Sequence, residues 1–114
     1  MKVLVITTKG EYIEREIEDK LEVLQDIVGG YIEYVDLSQD GLTMIVNEEG
    51  KIYDLEYNLG ATLLYDATHM GHDMILGNAI IVRDKDGENA DITKEDIKLV
   101  KDMIISGLYV GARL

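Results

Sequence analysis

The chain has 114 residues, with 23 Asp and Glu against 11 Lys and Arg, a net charge of -12 and 46% apolar residues. That is material for one domain around one core, and its acidity excludes the basic surface that nucleic-acid binding needs and any pull toward anionic membranes. Cys, Phe, Trp and Pro are all missing, so disulfides and thiolate metal sites are excluded and the seven Tyr are the only aromatics in an otherwise aliphatic chain.

Residues 2–8, KVLVITT, are apolar on both faces, as in a strand covered on both sides. Lys9-Gly10 turns the chain into residues 12–17. There Ile13 and Ile17 alternate with Glu14 and Glu16 as in a half-exposed strand hairpinned to the first. Leu21, Leu24, Ile27 and Val28 recur at helical spacing and predict a helix over 19–28, with Asp19 at its positive end and Gly29-Gly30 as its stop. Residues 31–37 alternate, placing Tyr31, Glu33 and Val35 on one side. Ser38-Gln39-Asp40-Gly41 is a turn, 42–46 a strand, Asn47-Glu48-Glu49-Gly50 a second turn, and 51–53 a returning strand, together an antiparallel meander.

Asn58 caps a short helix over 58–65, followed by a loop over 66–73. Residues 74–82 read as a buried strand interrupted at Gly77, and 83–91 as a polar loop. The capping box Thr93-Lys94-Glu95-Asp96 opens a last helix reaching about Ser106, with Ile97, Val100, Met103 and Ile104 on its apolar face. Residues 1–114 thus read as a single α+β domain, a mainly antiparallel sheet with two principal helices and a short third. The run Ile104-Ile105, Leu108-Tyr109-Val110 and Leu114 offers more apolar surface than one small core readily covers, an expectation of homo-oligomers; core packing accounts for the same pattern. No apolar stretch is long enough for a spanning helix or a signal-peptide core, so a soluble, cytoplasmic protein is expected.

Both histidines fall in Asp66-Ala-Thr-His69-Met-Gly-His72-Asp73. Imidazoles and carboxylates are a usable ligand set for zinc or iron, and His69 with His72 would serve a metal-dependent enzyme; a solvated polar loop explains the segment equally simply. Signatures for nucleotide hydrolysis, dinucleotide binding and serine hydrolases are missing, and no residue is assigned a catalytic role. The turn at 47–51 reads either as a charged hairpin end or as one wall of a ligand site, with Lys51 as charged anchor and Tyr53 beside it.

Several segments resemble a family of small proteins known as domain of unknown function 3846, common in phages, prophages and mobile elements. They are Met1-Lys-Val-Leu-Val-Ile6, Arg15-Glu-Ile17, residues 21–33, Asn47-Glu-Glu-Gly-Lys51, Asn58-Leu-Gly-Ala-Thr62, Asp73-Met-Ile-Leu-Gly77 and Ile92-Thr-Lys-Glu-Asp96. Gly-Gly-Tyr-Ile-Glu together with Asn-Glu-Glu-Gly-Lys is the most specific part. The chain departs from the family at its first turn, where Thr7-Thr8-Lys9-Gly10 replaces a frequent proline-containing turn, and in the histidine segment. The resemblance implies a non-enzymatic phage or mobile-element protein, without cofactor, that acts in counter-defence by binding. One form is sequestration of a nucleotide-type immune signal, with Tyr53 and Tyr65 for stacking, Lys51 and Arg83 for phosphate, and Asn47, Asn58 and Thr62 for polar edges. The other is direct inhibition of a host defence protein by an acidic surface, in the manner of a DNA mimic.

Overall fold

The computed structural model describes residues 1–37 and 41–113, with side chains as far as Tyr109. The predicted turn at Ser38, Gln39 and Asp40 and the side chains of Val110 and Leu114 lie outside the described residues. Among the described residues six strands and three helices follow in the order β1 (Lys2–Ile6), β2 (Tyr12–Glu16), α1 (Leu21–Val28), β3 (Ile32–Asp36), β4 (Leu42–Asn47), α2 (Leu59–Thr68), β5 (Ala79–Lys85), β6 (Glu88–Ala90) and α3 (Lys94–Arg113). All pairings are antiparallel, in the order β2-β1-β5-β4-β3, with β6 paired to the far end of β5. The expected class, an antiparallel α+β domain, is what the chain adopts. No helix among the described residues is long and apolar enough to cross a membrane.

The apolar-on-both-faces strands become the sheet's centre because each side is covered. Val3, Val5, Ile45, Ile80 and Val82 pack under Leu24 and Val28 of α1. Leu4, Ile6, Met44, Val46 and Ile81 pack on the other side with Leu64 of α2 and Val100 and Ile104 of α3. Each such side chain contributes about 1.5–3 kcal/mol on burial, so these two layers supply most of the drive to fold. Residues Ile105, Leu108 and Tyr109 of α3 face outward.

Local corrections follow from hydrogen bonding. Residues 51–53 do not return as a strand: Tyr53 N–H bonds Glu49 C=O at 3.1 Å and Leu55 N–H bonds Gly50 C=O at 3.0 Å, winding the segment into turns. The neighbour of β4 is instead β5, which is buried on both faces and inserts between β4 and β1. Residues 74–78 make only an isolated bridge, Leu76 to Tyr57, and regular pairing begins at Ala79. The predicted loop at 83–91 is largely strand: β5 runs to Lys85 and β6 returns through Asp86-Gly87, both at positive φ as a tight hairpin requires. Helix α1 starts at Leu21 rather than Asp19, whose carboxylate accepts from Asn89 Nδ2 at 3.0 Å. Helix α2 extends past Tyr65 to Thr68, and α3 continues past Ser106 to Arg113. Gly107 is no stop, because its missing Cβ lets α3 cross against the Leu63 carbonyl of α2.

Candidate binding groove

Among the described residues edge strand β3 pairs with β4 alone, in a register that sets Glu33 opposite Val46 and Val35 opposite Met44. Met44 and Val46 face α2 and α3, so Glu33 and Val35 stand on that same side. Helix α2 starts against Ile6 of β1 and Tyr12 of β2, and its Tyr65 and His69 line a hollow together with β3. The result is a groove of about 430 Å³, floored by Glu33, Val35 and Val46 and walled by the 47–52 turn, by Tyr65 and His69 of α2, and by residues 73–76.

The 47–52 turn is held from three sides. Asn47, buried, donates Nδ2–H to the Val28 carbonyl at 3.1 Å and accepts the Glu49 N–H on Oδ1 at 2.7 Å. Glu48 N–H bonds the Tyr31 carbonyl at 2.8 Å. At Gly50 a Cβ would stand 3.0 Å from the Leu76 carbonyl oxygen, so the turn lies hard against the opposite wall. Lys51, exposed at the rim, is ion-paired with Asp73 across the mouth. The hydrogen bond and charge of Asp73, with Glu33 and Tyr65 nearby, raise the Lys51 ammonium above its ordinary value.

Glu33, Asp36, Glu48, Glu49 and Asp73 are the acidic residues that line the groove, with Glu33 on its floor beside Val35. Among its described lining residues Lys51 is the one Lys or Arg, and it is already matched by Asp73. On the α2 wall the rings of Tyr65 and His69 stack, centroids 4.1 Å apart and planes within 1°. The site is therefore a negatively charged channel with one flat aromatic wall.

Of the residues singled out from sequence, Asn47, Lys51 and Tyr65 meet in this groove. Tyr53 projects on the other side of the same turn, into a smaller hollow beside Tyr31. Asn58 is fully buried: Oδ1 accepts the Ala61 N–H as the predicted cap, and Nδ2 donates to the Ile6 and Gly77 carbonyls, both at 2.9 Å. Thr62 Oγ1 accepts the Ile75 N–H at 3.0 Å, tying α2 to the chain entering β5. Arg83 pairs with Asp96 at the start of α3, away from the groove. These last three have structural partners and do not converge on the groove.

His69 and His72 do not share a ligand position. His69 Nδ1 lies 2.9 Å from Thr68 Oγ1, while His72 Nδ1 lies 2.8 Å from Asp66 Oδ1. Among the described residues no three of His, Asp or Glu gather as a metal set. Sequence reasoning left Glu33 out of the groove and considered His69 and Asp73 only as members of a metal ligand set. Glu33 had a signal, since alternation put its carboxylate on the face of Val35, which is otherwise apolar. The pairing of Asp73 with Lys51 had none, being made by a contact distant along the chain.

The family model described as "Domain of unknown function (DUF3846)" matches residues 1–105. The chain belongs to that family. No curated protein and no solved structure matches it. In this DUF3846 chain the segments 29–33 and 47–51 lie side by side: Ile32 stands opposite Asn47, and Asn47 Nδ2 bonds the carbonyl of Val28, just before Gly29.

Proposed function

We propose that this DUF3846 protein is a non-enzymatic binding protein of a phage or mobile element. It acts in counter-defence by seating a basic segment of a host protein in the β3 groove. The carrying observation is the excess of acidic residues lining a groove whose described Lys is already paired with Asp73. A peptide rich in Lys or Arg, of the kind proteins use to meet nucleic acid, gains long-range attraction and close charge pairing there. A phosphate ligand would meet repulsion. The expected nucleotide-type signal therefore draws less support: Asn58, Thr62 and Arg83 are engaged elsewhere, and Lys51 is paired.

The test is an NMR titration of the labelled protein with hexalysine at low and at physiological salt, beside thermal unfolding with a panel of cyclic dinucleotides. Amide shifts confined to β3, the 47–52 turn and 73–76, weakening with salt, are expected. Glu33→Gln with Glu48→Gln should reduce the affinity, and Glu14→Gln with Glu16→Gln on the opposite edge should not. Shifts spread evenly over the acidic surface, or a nucleotide that raises the unfolding temperature, would overturn the proposal.

A further inference from the structure

On the far side of the 47–53 turn lies a second hollow, of about 260 Å³, lined by Gln25, Gly29, Gly30, Tyr31, Glu49 and Tyr53, with Asn47 at its base. It is smaller than the ~300 Å³ at which sites for whole drug-sized ligands begin, so its natural occupant is one side chain. Its construction is specific. Gly29 closes α1 in the left-handed conformation (φ 85°), and at Gly30 (φ 159°) a Cβ would stand 2.9 Å from Asn47 Nδ2. The backbone floor can approach Asn47 only because no side chain intervenes. The bond from Tyr53 N–H to Glu49 C=O sets the Tyr53 ring one turn beyond the Glu49 carboxylate. Tyr31 and Tyr53 are 64% and 66% exposed, far more than tyrosines that serve a core.

The electrostatics favour a cation. Tyrosine faces carry negative quadrupole density, Glu49 is a carboxylate, and α1 ends at the hollow with its negative pole and no basic residue in its last turn. We propose that this hollow seats a single arginine of the basic partner. The guanidinium stacks on Tyr31 or Tyr53 and bonds Glu49, a planar fork that lysine does not match. The inference rests on the reading of a basic partner and names its anchor. Glu49 and Asn47 border both hollows, so one extended segment can occupy the groove and place an arginine here.

The test follows the ring signals of Tyr31 and Tyr53 by NMR with N-acetylarginine amide and with its neutral isostere, N-acetylcitrulline amide. Arginine should shift both rings with at least about five-fold higher affinity than citrulline. Tyr31→Leu and Tyr53→Leu should abolish that preference while leaving the amide spectrum folded and hexalysine binding in the groove unchanged. Equal response to the two probes, or arginine shifts confined to the β3 groove, would overturn the seat alone. Arginine seating in a protein that hexalysine fails to bind would overturn the groove reading and leave the seat standing.

Discussion

Asn47 donates its side-chain amide to the carbonyl of Val28, joining the end of β4 to the last turn of α1 at 3.1 Å. The same side chain accepts the Glu49 N–H, so one buried amide sets both the α1 exit and the 47–52 turn. The groove and the tyrosine hollow share this support.

Asn47→Ala removes a buried donor and acceptor and leaves the Val28 carbonyl and the Glu49 N–H without this partner. The expected cost is about 1–3 kcal/mol, seen as a lower urea midpoint with an unchanged slope. Asn47→Asp is expected to cost at least as much, since a carboxylate oxygen would then face the Val28 carbonyl. A variant as stable as the wild type would show the amide to be ornamental.

Gly107→Ala should be among the most damaging single-methyl additions. An added Cβ would lie 1.9 Å from the Leu63 carbonyl oxygen, a backbone atom that moves only if α2 moves. Overpacking of this kind costs about 1–3 kcal/mol or more. Ser106→Ala, exposed and one residue earlier, is the control and should be neutral to slightly stabilising, within about 0.5 kcal/mol. Thermal unfolding of the pair separates helix propensity from helix contact.

These two residues show what was legible in the chain and what was not. Local chemistry read well: the Asn58 cap and the reciprocal Thr93–Asp96 capping box stand as their side chains predict. Asp86-Gly87 carried a hairpin signal of the same quality, yet the polar run around it suggests a loop. Residues 51–53 look like a strand because Ile52 sits between polar neighbours, and only the Glu49 and Gly50 carbonyls decide otherwise. The last helix was expected to reach only about Ser106, and the contact of Gly107 with α2 shows why it continues. In the groove, Lys51 and Tyr65 were visible as an exposed cation and a helix aromatic. Asp73 was visible only as a neighbour of the histidines; its pairing with Lys51 was not, because it depends on the position of Lys51 across the mouth.

The Arg83–Asp96 pair makes stability depend on acid. Burial pushes the Asp96 carboxyl up, but hydrogen bonds from Arg83 and from Thr93 together outweigh it and hold the carboxyl below its ordinary value of 3.8. A carboxyl lowered by folding stabilises the native state above its unfolded pKa, and that stability is lost as pH falls from there through the folded value. The acid limb of a stability–pH profile should therefore steepen below about pH 4 in the wild type. Asp96→Asn should flatten that limb and lower stability at neutral pH. An identical acid limb in the two proteins would remove the pair from the account.

Lys51 separates the two modes of binding most directly. Its pair with Asp73 is exposed on both sides, so Lys51→Gln should leave the unfolding temperature nearly unchanged. The substitution frees the Asp73 carboxylate at the groove mouth and removes a positive charge from it. Hexalysine should then bind more tightly, by about two- to four-fold at low salt, with the gain shrinking as salt rises. Sequestration of a phosphate-bearing signal demands the opposite sign, since Lys51 would be the anchor lost. The direction of the change, read from one titration of one variant, distinguishes an acidic seat for a basic peptide from a cationic anchor for a nucleotide.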